Sequence, residues 1–474
     1  MGKMGKMNLT EDRILNRKNL VTLAMVIVFL HASLSVIHWL IDTTWIDIIN
    51  FILIGVLGFG VILYTARQEV PFRFQPAQCL LILFMFLFII SCISMTITYN
   101  NDWLDFNTTE MRSAAVSLFL IFPAGYVLIR EEKRNIALIL MHTVLIAWSL
   151  FILVVLIHVF QGKTMTAPVT GGKIGMVQGN LCINGHYNIA GSWEMLFFMA
   201  CCFAALRSEK IWVKAAYGVL TVIHYLALTL TNSRASFLAV LAAFAAMTGI
   251  AVYLRLKSGK EIRKILIAAA AGLAAAAVYY FLRPYVFKLL PAAGGSGSGG
   301  AQGRTLFAQD FSTFNDRTKL WKWSIQGLTS SARAFIFGFT PKSVPTMIAQ
   351  MSNGQYPNSY SHNQFVEVAA SIGVPGLIVF LAWFIIILID TWKLFFIRKE
   401  RSSLLYIPVI ALAMMLANMM EAHLLYYDHI VGYAFFLLCG ILHGYVNGPA
   451  RPFRIPEKLR LGKARKNARM SGQA

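Results

Sequence analysis

Apolar runs long enough to cross a bilayer recur along nearly the whole chain. The pattern predicts about twelve spans, at roughly 19–41, 47–65, 78–97, 113–129, 136–160, 189–206, 211–230, 235–255, 264–282, 366–397, 404–420 and 429–447. The longest polar interruption, 283–361, lies between the ninth and tenth. The stretch Ser359 to Gly376 closes this insert and opens the next helix. Ser361 with Gln364 three residues on reads as a capping box, so that helix is predicted to begin at about His362. Phe365, Val368, Ala369 and Ile372 then fall on one face, and Gly373, Pro375 and Gly376 interrupt it. His362 is thus predicted on a first helical turn at a membrane edge. A helix start disfavours imidazolium and favours anions, so a neutral imidazole beside an anion site is expected there.

Composition agrees with the spans. Of 474 residues, 57% are hydrophobic, and the mean hydropathy is +0.63. This predicts an all-α polytopic integral membrane protein. Its parts are a basic N-terminus (1–18), a first helix bundle (19–282), a long loop (283–361), C-terminal helices (362–447) and a basic tail (448–474). The first apolar run is too long for a signal-peptide core and lacks a small-residue cleavage site, so it is read as retained. The net charge of +21 raises the question of nucleic acid. The distribution of charge answers it. With the N-terminus inside, the inner segments hold 30 of the 42 Lys and Arg residues. The short outer loops hold only Arg112, Lys163, Lys173 and Arg234, so charge reports topology and no nucleic-acid partner is expected. Both termini are expected in the cytoplasm.

Of six cysteines, only Cys182 falls clearly in an outer loop, so no structural disulfide is expected; the spacings suggest no metal site and no cofactor. Embedded His31, His142 and His158 read better as packing residues than as proton relays. Asp102, Asp105 and Glu110 read as a solvated acidic loop. The loop 161–186 is Gly-rich. After it, His186 and Asn188 either line a pocket or only cap the helix starting at about 189. Arg234, in Thr231-Asn232-Ser233-Arg234-Ala235-Ser236, stands against the outer charge bias, which suggests a bound anion. The insert begins with a flexible Gly-rich link, Pro291 to Gly303. Beyond it, Asn315 or Asp316 can cap an amphipathic helix from Arg317 to about Leu328, with Leu320, Trp321, Ser324 and Leu328 on one face and Trp321 and Trp323 at headgroup depth. Glu421 either orients His362, binds an acceptor, or pairs with Arg112 or Arg234.

Taken together, Ser233-Arg234, Asp316-Arg317 followed by Trp321, and Ser361-His362-Asn363 resemble the signatures of the O-antigen ligase and polymerase family over roughly residues 180–440. Two places depart from it: Asn184-Gly185-His186 stands where the family more often has Asn-Pro-Asn, and Gly338-Phe339-Thr340 where it has a Gly-x-Gly-like turn. The resemblance implies a glycosyltransferase of the GT-C type in a bacterial cell membrane, acting on the extracytoplasmic face without a metal. Its donor is a glycan on undecaprenyl diphosphate, and its acceptor a hydroxyl of a glycan, lipid or protein. It assigns Arg234 and Arg317 to the diphosphate and His362 to the base, with Ser233, Asn363, Glu421, Asn188 and His186 in support. A repeat-unit polymerase of the same family is the nearest alternative. A secondary transporter is the alternative from another class, although no internal repeat marks one.

Overall fold

The computed structural model describes residues 75–99, 109–130, 134–166, 172–177, 179–183, 186–208, 210–257, 316–357, 359–398, 403–426 and 430–447, with isolated positions between 262 and 281. The predicted N-terminus, tail and first two spans, the linker 291–303, and His31, Asp102, Asp105 and Asn315 lie outside the described residues. So does nearly all of the predicted span 264–282.

The described chain is mostly helical. In order it forms α1 (Pro76–Tyr99), α2 (Thr109–Ala115), a π-helical stretch (Val116–Ile121), α3 (Phe122–Arg130) and α4 (Arg134–Phe160). Then come β1 (Met165–Thr166), β2 (Lys173–Val177), β3 (Asn180–Cys182), α5 (Tyr187–Arg207), α6 (Ile211–Thr231) and α7 (Arg234–Lys257). The insert contributes α8 (Arg317–Leu328), α9 (Ala332–Phe337) and α10 (Val344–Met351). The last helices are α11 (Gln364–Trp392), α12 (Tyr406–Asn418) and α13 (Ile430–Asn447). Among the described residues, five helices are long and apolar enough to cross a membrane: Pro76–Thr98, Tyr187–Ala205, Ile211–Thr231, Gln364–Ile397 and Ile430–Asn447. Four further predicted spans fall on shorter apolar helices.

Two expectations are corrected. The chain is not purely helical, because the loop 161–186 folds into a small antiparallel sheet in the order β1-β2-β3. Val177 pairs with Asn180, so a two-residue turn closes the second hairpin. Ile174, Met176 and Leu181 point inward and pack on Ile152, Val155, Leu156 and Val159 of α4 and on Ala227 and Leu230 of α6. That alternation of apolar positions was the available signal. Among its described residues, the insert also holds two helices beyond the one expected. α8 buries Leu320, Ser324, Gly327 and Leu328, while Trp321 is only half-buried. This face packs on α10 and α11. Gly327 lies against Met347 of α10, since a Cβ there would come within 2.1 Å of its sulfur and would displace that side chain.

Helices in lipid gain little from hiding apolar surface, so close packing must hold them. α13 meets α3 through Gly440 and Gly444, four residues apart. A Cβ at Gly440 would lie 2.1 Å from the Phe122 carbonyl oxygen, and one at Gly444 2.6 Å from that of Tyr126. Nearby, Trp383 of α11 is fully buried among Phe122, Phe380, Phe435 and Phe436. Ionisable groups inside the bundle are partnered. Glu194 accepts from Trp148 Nε1 at 3.0 Å and meets His224 at 2.7 Å, while Asp390 meets His443 at 2.5 Å. His142 meets the Tyr217 hydroxyl, and His158 the Val154 carbonyl, both as packing residues do.

Candidate active site

The site forms at the end of the bundle where α6 and α12 finish and α5, α7 and α11 begin. The start of α11 is not capped as predicted. The N-cap is Asn363, whose side-chain oxygen accepts from the N–H groups of Phe365 (2.9 Å) and Val366 (3.1 Å). The Ser361 hydroxyl is engaged elsewhere, 2.9 Å from that of Ser324 on α8, and its backbone N–H donates to Glu367 Oε2 at 2.8 Å. The helix therefore begins at Gln364, two residues later than predicted. His362 precedes the cap in the left-handed region, with φ of 49°. That conformation costs an L-residue about 1–2 kcal/mol, which the surrounding bonds must offset.

What governs His362 is a carboxylate rather than a helix end. His362 Nδ1 lies 2.9 Å from Glu421 Oε2, and Arg317 Nη2 donates to Glu421 Oε1. Glu421 sits in the loop after α12 and is 1% exposed; the His362 side chain keeps 36% of its surface exposed. Burial opposes the charge on Glu421, but His362, Arg317 and His423 outweigh it and hold the carboxyl below its ordinary value. An ionised carboxylate only accepts, so Nδ1 carries a hydrogen, and when the ring is neutral the lone pair is on Nε2. For His362, burial disfavours the imidazolium, yet Glu421 overrides it and the value rises above 6.5. Arg317, at the start of α8, spends one of its nitrogens on Glu421, and the rest of the guanidinium fork keeps donors for an anion. Asp316 precedes it in the left-handed region, with φ of 66°, and pairs with Lys319 at 2.8 Å in place of a side-chain cap bond.

His423 is a residue the sequence reading passed over. Its Nε2 lies 3.9 Å from the same Glu421 oxygen, and burial lowers its value to about 4, so it is neutral at physiological pH. Asn418 Oδ1 accepts its N–H at 2.8 Å, and Asn363 Nδ2 donates to the Met419 carbonyl at 2.8 Å. His and Glu two residues apart in one loop was the only sequence signal.

Arg234 opens α7 after a tight turn. Asn232 ends α6 in the left-handed region, with φ of 58°, and its Nδ2 donates to Asn180 Oδ1 at 2.6 Å. The small sheet is thereby tied to the arginine's turn. Ser233 is buried, its N–H accepted by Thr231 Oγ1 at 3.2 Å and its hydroxyl 3.0 Å from that of Ser236. A Cβ at Gly191 of α5 would lie 2.3 Å from the Ser233 Cβ, so α5 and this turn touch. α5 starts at Tyr187, with exposed His186 at its N-cap and no side-chain cap bond; Asn188 is inside the first turn and half-buried. The capping role considered for these two residues is therefore not what they do. Arg317, Glu421 and His362 are thus joined by direct contacts, while the turn that carries Arg234 touches α5 through Ser233 and Gly191. Among the described residues, no group of three or more His, Cys, Asp or Glu side chains is disposed to hold a metal ion.

Asn232→Ala is expected to remove the tie to Asn180 and to strain the turn by about 1–2 kcal/mol. Asn232→Gly relieves the strain but not the lost tie. Thermal unfolding of both variants in detergent should show both below wild type, with the alanine variant the lower.

This arginine, carboxylate and histidine stand together at one end of a helical bundle whose longer helices are apolar enough to cross a membrane. The family model described as O-antigen ligase matches residues 216–381. This stretch is similar to that family; it contains Arg234, Arg317 and His362 and stops short of Glu421. No curated protein matches the chain.

Proposed function

We propose that the protein is an O-antigen ligase-like glycosyltransferase. It moves a glycan from undecaprenyl diphosphate to an acceptor hydroxyl on the extracytoplasmic face of a bacterial membrane. The observation that carries this reading is the single carboxylate shared by His362 and Arg317. One end of Glu421 fixes the imidazole tautomer, and the other fixes a guanidinium. Base and anion site are then set at a constant separation, as transfer from a lipid diphosphate requires.

In the step, His362 Nε2 takes the acceptor's proton while the acceptor oxygen bonds to the anomeric carbon. The bond from that carbon to the diphosphate oxygen breaks, and its electron pair leaves with the diphosphate. Arg234 and Arg317 stabilise the growing negative charge. No metal is required. The bilayer holds the polyprenyl tail, and the insert 283–361 contributes to acceptor binding.

The test is a radiolabel assay in detergent with a defined undecaprenyl-diphosphate glycan and EDTA throughout. Arg234→Ala and Arg317→Ala are each expected to lower transfer by about 10²–10³-fold. His362→Ala is expected to lower it by about 10²–10⁴-fold with donor binding retained. A single large addition marks a ligase, and a ladder of repeats a polymerase. Donor binding with no transfer to any acceptor would overturn the enzyme reading and send the protein to a flux assay in vesicles.

A further inference from the structure

His362 and Glu421 ride on separate loops, and both loops are tied to the start of α11. Gln364 Oε1 accepts the N–H of Leu424, three residues past Glu421, at 3.0 Å. Glu367 Oε2 accepts the N–H of Ser361, next to His362, at 2.8 Å. Neither Gln364 nor Glu367 exposes more than 1% of its surface. Each spends one polar atom on a loop and leaves the other, Gln364 Nε2 and Glu367 Oε1, buried without a hydrogen-bond partner. A buried atom of that kind costs stability, a cost that each residue offsets in part by satisfying the N–H of a buried loop residue.

We propose that Gln364 and Glu367 are positioning residues that set the distance between His362 and Glu421. The inference rests on the general-base reading and adds two residues to it. The groups facing His362 are Glu421 and His423 from the loop after α12, Arg317 from α8 and Glu367 from α11. Of these, only Glu421 bonds the imidazole, so loosening either loop weakens the strongest pull on its proton. The proton then leaves His362 at lower pH, and the base loses its orientation.

The experiment compares Gln364→Leu and Glu367→Met with the conservative Glu367→Gln, which keeps an oxygen for the Ser361 N–H. Donor KM and kcat are measured across pH. His362 is titrated by NMR on histidine-labelled protein in detergent, with His362→Gln assigning the signal. The expected result is a loss of kcat of about tenfold or more in the apolar variants. Donor KM should stay within about twofold, and the His362 titration should move to lower pH. Glu367→Gln should recover kcat and titrate above Glu367→Met, since both lack the Glu367 charge that also raises His362. Wild-type kcat and titration in the apolar variants would overturn the proposal. So would a joint collapse of kcat, donor binding and unfolding temperature that Glu367→Gln shares. If wild type transfers nothing, the glycosyl-transfer reading falls, while the titration still decides whether these residues set the pair.

Discussion

Glu421→Ala is expected to cost transfer about as much as His362→Ala, roughly 10²–10⁴-fold, although Glu421 need not touch substrate. The double variant is expected to cost little more than either single one. Groups that act as a unit lose their joint effect once, so their penalties do not add. Glu421 holds His362 Nδ1–H and Arg317 Nη2 at once, so its loss frees the imidazole to turn and the guanidinium to drift. Glu421→Gln separates geometry from charge. The amide still offers an oxygen to one neighbour, but the charge that raises His362 is gone. The base works unprotonated, so wild-type activity should climb with pH through a value above 6.5. In Glu421→Gln, burial and Arg317 are left to favour the neutral ring, and the rise should move to lower pH. Stability runs the other way. The raised value of His362 stabilises the fold below pH 6.5, and that contribution fades as pH climbs through the folded value. Full additivity of Glu421→Ala and His362→Ala, or an unmoved pH profile in Glu421→Gln, would separate the two residues.

How much of this was legible follows from which signals are local. Apolar runs locate the five helices long and apolar enough to cross a membrane, and a 3.6-residue period locates the helix Arg317–Leu328, so these have close boundaries. The Gly373 break was read from Gly and Pro alone. The start of α11 was misread because Ser361 and Asn363 compete for one role. Nothing local says that Ser324, 37 positions earlier, engages the serine hydroxyl. Glu421 was noticed, but its partner was left open among orienting His362, binding an acceptor and pairing with Arg112 or Arg234. Arg317, 104 positions away, was not weighed as a partner because only the fold joins them. His423 has only its spacing from Glu421 as a local signal, because a histidine gains meaning from the carboxylate it faces. The small sheet was hidden by its glycines, which suggested a loop while Ile174, Met176 and Leu181 alternated inward.

Gly373→Ala is expected to destabilise the fold by about 3 kcal/mol or more, for reasons that reach from backbone geometry to the site. At φ 79° and ψ 177°, Gly373 occupies a region that essentially only glycine adopts. A Cβ there would meet the Ile336 carbonyl oxygen at 2.2 Å, its carbon at 2.5 Å and the Phe337 nitrogen at 2.9 Å. These are backbone atoms and cannot swing aside. The break at Gly373 also gives α11 carbonyls new partners. Ala370 and Ser371 accept the N–H groups of Phe339 and Thr340, each at 2.8 Å, and Ser371 also accepts the Ser91 hydroxyl at 2.9 Å. The Gly338-Phe339-Thr340 turn thus bolts the end of α9 to α11 one turn below Glu367. Gly338 is the matching half, with φ 71° and a would-be Cβ 2.5 Å from the Ser371 carbonyl carbon. Gly338→Ala should therefore destabilise comparably, and the pair should be less than additive because they share one contact. Gly218→Ala is the control, since nothing lies within 4 Å of its would-be Cβ and alanine favours helix. Denaturant or thermal unfolding in detergent, followed by tryptophan fluorescence, measures all four. Equal stability of Gly373→Ala and Gly218→Ala would mean that the bolt does not hold α9 to α11, and that the insert owes its position to the α8–α11 packing instead.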